Sequence, residues 1–214
     1  ARIVSLSAML RRQPSETISG AREDVMERDL GTDGVQVEAA AVLDFWFALS
    51  PQQQFAKDAA LDRQIAERFS AARDRALATD AAGWRDRPDT LLAAIVLIDQ
   101  FSRNLHRGRA EAFAGDDLAV GLTLEAIGRG WEDRYPPDRR VFLYLPLMHA
   151  EDGPLQDLSV AKFEALGREE NTRFAHDHRD AIRRFGRFPG RNVALGRATT
   201  QEEAEWLKAH NGGW

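Results

Sequence analysis

Apolar side chains recur in this chain at helical spacing, and a glycine, a proline or a capping polar residue interrupts them every few turns. Val42, Phe45, Trp46 and Leu49 fall at i, i+3, i+4 and i+7, one face of a helix. Ser50-Pro51 stops it, because the residue before proline is driven out of the α region. Asp58 caps a second helix through Leu61, Ile65, Arg68, Phe69, Ala72, Ala76 and Leu77, ending at Gly83. Pro88 suits the first turn of a third, running to about Asn104. Gly108 marks a turn, with Phe113 as an anchor. Asp116 or Gly115 opens the helix of Leu118, Leu122, Leu124 and Ile127, closed by Gly128 to Gly130. After Tyr135-Pro-Pro137, Asp138 caps Arg139 to about His149. Gly153-Pro154 starts the helix of Leu155, Leu158, Phe163 and Leu166, and Phe174, His178, Ile182 and Phe185 form the next stripe. Thr200-Gln-Glu-Glu203 is a capping box for a last helix with Trp206 and Leu207.

No stretch alternates as a strand does, so the predicted fold is all-α, with about eight helices. Short linkers favour antiparallel neighbours, hence stacked antiparallel helical hairpins. No repeat near about 34 residues is present, so any tetratricopeptide-like character lies in the stacking of hairpins. Residues 1–36 read as a polar tail with one short helix around Ala21 to Leu30, and residues 37–214 as a single all-helical domain.

Bulk properties narrow the function. The formal net charge is −5, and general nucleic-acid binding, which needs a basic face, is not expected. The chain has no cysteine, which excludes disulfides, thiol catalysis and thiolate metal sites. The longest apolar run, Leu91 to Ile98, is too short to span a bilayer, so no membrane association is expected. Ile3 to Leu10 has the look of a signal h-region, but it runs into Arg11-Arg12 and lacks an Ala-x-Ala site, so no secretory signal is expected.

Several polar residues fall on apolar faces. Leu92, Ile95 and Asp99 lie at i, i+3 and i+7, with Arg103 one turn later and Gln100 and Asn104 beside them. A buried carboxylate without a partner is strongly disfavoured, so Arg103 or an arginine from residues 187–197 is its expected partner. His149 follows Phe142 and Leu145 at the same spacing and is expected to point inward, with Glu151 and Asp152 where the helix stops and Gln156 just beyond. An imidazole beside carboxylates suits a general base or half of a metal site. No His-Glu-x-x-His occurs, and His176 and His178 are two residues apart and point different ways. No metal and no cofactor is therefore expected. His178, between Phe174 and Ile182, reads as a core histidine or as a ligand-binding one.

Residues 179–197 hold six arginines against one acid, Asp180. The segment Phe185-Gly-Arg-Phe-Pro-Gly-Arg-Asn192 continues to Leu195-Gly-Arg197. Its glycines allow close backbone approach, Pro189 limits its freedom, and Phe185 and Phe188 are expected to anchor it. Arg187, Arg191 and Arg197, with Asn192, present planar donors that suit carboxylates or a phosphate. They either bind Asp99, Glu151 and Asp152 and lock the fold, or line an open anion pocket.

Four blocks resemble the bacterial family known as domain of unknown function 924. They are Val42-Leu-Asp-Phe-Trp-Phe47, Ile98-Asp-Gln-Phe-Ser-Arg-Asn104 with Arg107-Gly108, Phe113 and Asp116, Phe142-Leu-Tyr-Leu-Pro-Leu-Met-His-Ala-Glu-Asp152 with Gln156, and Phe185 to Asn192 with Leu195-Gly-Arg197 and Thr200 to Glu203. Ser102 stands where the family often has proline, and Gly190 where it often has histidine. The resemblance runs from about Val42 to Leu207. It implies an all-α, tetratricopeptide-like fold and a cytoplasmic bacterial setting, and it carries no established activity.

Three functions follow as expectations. The first is a helical binding module whose groove, lined by Asp99, Arg103, His149, Glu151 and the loop arginines, takes a charged peptide, a protein or a small anion. The second is a hydrolase or transferase acting on a small anionic substrate, with His149 or Glu151 as acid or base. In the third the polar set only holds the fold, and function lies on the surface or in oligomer contacts.

Overall fold

In the computed structural model the described residues are 32–210 and Gly212. The expected tail helix around Ala21 to Leu30, and Ile3 to Leu10, lie outside them. Helix α1 (Thr32–Phe47) starts earlier than Val37 and stops short of Leu49. Its Val42 and Trp46 are fully buried, as the stripe requires. Ser50 does more than stop α1: it caps a short α2 (Pro51–Phe55). Ser50 Oγ accepts from the Gln53 amide and Gln53 Oε1 accepts from the Ser50 amide. Ser-x-x-Gln is a capping box, the sequence signal for this extra helix.

Asp58 caps α3 (Ala59–Ala78), taking hydrogen bonds from the amides of Ala60 and Leu61. The helix ends before Gly83, because Asp80 and Ala81 turn into left-handed conformations. Pro88 opens the next helix as expected, and helical structure then runs to Leu105 in three parts. These are α4 (Pro88–Ile95), a π-helical segment Val96–Phe101, and α5 (Ser102–Leu105). The π segment is buried throughout. Its Phe101 ring meets Trp46 at 5.4 Å and Phe69 at 5.2 Å, and Trp46 meets Phe142 at 5.6 Å. This aromatic cluster ties α1, α3, the π segment and α7 together.

α6 (Asp116–Gly128) and α7 (Pro137–His149) follow. Asp138 does not cap α7; Pro136 holds the cap position, with Pro137 in the first turn. α8 (Gly153–Leu166), α9 (Glu169–Phe185) and α10 (Gln201–Ala209) complete the order. The Thr200–Glu203 capping box forms as read. The described residues contain no strand, and the protein is all-α there. Consecutive helices α6, α7, α8 and α9 pack against one another. Two or three residues join α7 to α8 and α8 to α9, and packed helices joined so briefly form antiparallel hairpins. No described helix is long and apolar enough to cross a membrane.

Gly115 fixes how closely α6 approaches the π segment. A Cβ there would sit 2.5 Å from Ile98 Cγ2 and 2.9 Å from Leu77 Cδ2. Ile98 is fully buried and cannot yield easily. Gly115→Ala is therefore expected to destabilise by about 1–3 kcal/mol. The check is the denaturation midpoint; an unchanged value would mean that α6 moves freely.

Candidate functional site

The π segment and its neighbours carry the densest polar set. A π turn hydrogen-bonds i to i+5 and often marks a functional position. Here it holds Asp99, whose side chain is only 1% exposed. Its carboxylate meets the His149 ring, with Nδ1 2.8 Å from Oδ1 and 3.1 Å from Oδ2. An ionised carboxylate only accepts, so Nδ1 carries the proton and Nε2 is the bare nitrogen. Gln100 donates to Asp99 Oδ2. Arg103 Nη1 lies 2.9 Å from Asp99 Oδ1 and donates to the Asp99 carbonyl at 2.7 Å.

Arg103 also reaches Asp116, at the start of α6, with Nη2 donating at 3.1 Å. Arg191, from the loop after α9, donates to the same Asp116 carboxylate at 3.0 Å and to the His149 carbonyl at 2.8 Å. Its guanidinium lies between the rings of Phe113 and Phe188, 4.6 Å from each. Two carboxylates thus face two guanidiniums, and the charges of this inner set balance.

A second set closes the loop itself. Arg197 forms a bidentate pair with Glu151 at 2.6 and 2.9 Å, and Glu151 also accepts from the Phe188 amide. Arg187 pairs in the same way with Glu203, at 2.7 and 2.9 Å. Buried Asn192 donates to Glu203 and accepts from Arg197, joining the two pairs. The Arg187 partner holds the Glu203 carboxyl down at about 2.

The expected partnerships are corrected in part. Asp99 takes Arg103, one of the two options read from the sequence, and Glu151 takes a loop arginine. Arg191 and Arg187 instead choose Asp116 and Glu203, which the spacing marks as helix-start residues. Periodicity assigns a residue to a face and cannot name its partner across the fold. Among the described residues Asp152 meets no arginine; it caps α8 by accepting from the Leu155 amide. His149 lies against Asp99 rather than beside Glu151 and Asp152. Asn104 lies apart from the set and donates to Asp62 on α3. Gln156, fully buried, donates to the Met148 and Ala150 carbonyls and so ties off the end of α7. His178 is buried, its Nδ1 donates to the Phe174 carbonyl at 2.8 Å, and its ring packs edge-on against Phe188. Among the described residues no three metal-ligating acids or imidazoles come together.

The electrostatics sort these groups. Burial opposes ionisation of Asp99, but Arg103 and the hydrogen bonds outweigh it and hold the carboxyl well below its ordinary range. Burial, reinforced by Arg103, lowers His149 and keeps it neutral. Burial pushes His178 down to about 3. Both imidazoles protonate more readily in the unfolded chain, so their contribution to stability is complete above the unfolded value near 6.5 and is lost as pH falls. Asp116 works the other way, since burial raises its carboxyl. Its contribution is present at low pH and is lost as pH rises through the raised value. Stability is expected to fall from pH 6.5 toward 4, by up to about 1.4 kcal/mol per pH unit for His178, with His149 acting in the same direction. Guanidinium titrations at several pH values check this. His178→Gln should flatten the slope; an unaltered slope would remove His178 from the account.

Comparison with known proteins agrees with the blocks noted above. The family model described as bacterial protein of unknown function (DUF924) matches residues 42–211. A solved structure of a protein of unknown function from Agrobacterium tumefaciens is similar at 40% identity and a TM-score of 0.78, covering 82% of this chain and 99% of that one. No curated protein matches.

Proposed function

The chain belongs to the DUF924 family of bacterial proteins, and we propose that it carries an acid–base site for a small polar substrate, with His149 as the proton acceptor. One observation carries this reading. Asp99, buried and ionised, fixes the Nδ1–H tautomer of a neutral imidazole whose side chain keeps 16% of its exposure. Nε2 makes no hydrogen bond with a described residue. A neutral, oriented imidazole with a bare nitrogen suits removal of a proton from water or a hydroxyl, as in a hydrolase or transferase. Asp99 is then a positioning residue, like the carboxylate of a catalytic triad.

The arginines fit a different task. Each of Arg103, Arg187, Arg191 and Arg197 is already paired with a carboxylate. For the buried Arg191–Asp116 pair, breaking it costs about 3–5 kcal/mol, which an external anion would have to offset. They are better suited to holding the loop over the site than to binding a charged peptide. A binding role without chemistry is the second reading. In its favour, the two hollows of about 210 and 350 Å³ at the surface lie away from His149.

The test is a panel of small esters, amides and phosphomonoesters, assayed with the full chain and with His149→Asn. Asparagine keeps a donor near the Nδ1 position and removes Nε2. A loss of turnover of about 10²–10⁴-fold, with an unchanged melting temperature, is expected. Turnover unaffected by the substitution would overturn the assignment. Thermal stabilisation by a panel compound without turnover would favour the second reading.

A further inference from the structure

The cavity of about 210 Å³ lies where the turn after α6 meets α7 and α8. It is a half-open hollow with room for a small metabolite. Its wall carries both signs of charge: Lys162 and Arg140 against Glu132 and Asp133, with Tyr144 and Leu166 beside them. These groups keep unused capacity. Glu132 Oε1 accepts from Lys162 Nζ and from Tyr144 Oη, both at 2.6 Å, while Oε2 accepts from no described residue. Lys162 Nζ has three donors and uses one on Glu132. Arg140 Nε donates to the Tyr135 carbonyl, and Nη2 reaches Asp133 only at 3.3 Å. Asp133 itself is 93% exposed.

We propose that this cavity binds a small zwitterion of the free α-amino-acid type. A simple anion would meet Lys162 and Arg140 but also the Glu132 carboxylate, whose ionisation Lys162 and Tyr144 support. A simple cation would meet the reverse conflict. A molecule with a carboxylate and an ammonium a few bonds apart satisfies both: its carboxylate on Lys162 and Arg140, its ammonium on Glu132 Oε2 and Asp133. Leu166, Ala165 and the Tyr144 ring then favour an apolar substituent. The site stands independently of the His149 reading.

The experiment is calorimetry of the full chain with individual free amino acids. The N-acetylated and carboxamide forms of any binder are then titrated in parallel. At least one amino acid with an apolar side chain is expected to bind, and each blocked form to bind about tenfold more weakly or worse. Lys162→Met should weaken binding to the same degree, and His149→Asn should leave it unchanged. Absence of binding by any free amino acid up to about 10 mM would overturn the proposal. So would blocked forms that bind equally well, or acetate alone binding as tightly as the amino acid.

Discussion

Replacing Asp99 by alanine is expected to destabilise the protein by about 3–5 kcal/mol. The carboxylate is buried and holds Arg103, Gln100 and His149 at once. Its removal leaves a largely buried guanidinium with Asp116 as its remaining carboxylate, and it releases the His149 ring. Asp99→Asn keeps the shape but removes the charge, and is expected to fall between wild type and alanine. Guanidinium denaturation at pH 7 measures both. A loss below about 1 kcal/mol for the alanine variant would show that solvent screens the pair.

Arg191→Ala is expected to have an effect of similar size, again about 3–5 kcal/mol. The side chain is only 9% exposed. Burial lowers its pKa to about 10, still well above neutral pH, so it stays charged. Truncation empties the slot between Phe113 and Phe188 and removes one of two cations from Asp116, itself mostly buried. Arg191→Lys restores the charge but not a fork that reaches Asp116 and the His149 carbonyl together, and is expected to recover part of the loss. Equal stability of the lysine variant and wild type would contradict the two-pronged contact.

Much of this architecture was legible in the sequence. The spacing Leu92, Ile95, Asp99 put a carboxylate on a buried face, and burial in turn required an arginine partner, Arg103 or one from residues 187–197. Asp58 and the Thr200–Glu203 box marked helix starts because capping is local chemistry. The π segment was not legible, since nothing in Val96 to Phe101 distinguishes it from α-helix. A wide turn adds a residue to one turn of the helix, and no change in the apolar spacing announces it. Nor did the sequence tell which carboxylate each arginine meets. Six arginines in one short stretch announce a need for acceptors, and Asp116 and Glu203 were hidden among ordinary helix-start acids. The close approach at Gly115, which brings Asp116 against the π segment, depends on Leu77 and Ile98 from two other helices.

The Arg191–Asp116 pair spans 75 residues of chain, and this bears on how the protein is made. During translation Asp99, Asp116 and His149 all leave the ribosome well before Arg191. Until then a nascent chain that packs α6 against the π segment must enclose Asp116 with half of its cations missing. Final closure therefore waits for the loop after α9. A chain that stops before Arg191 lacks one of the two cations on Asp116.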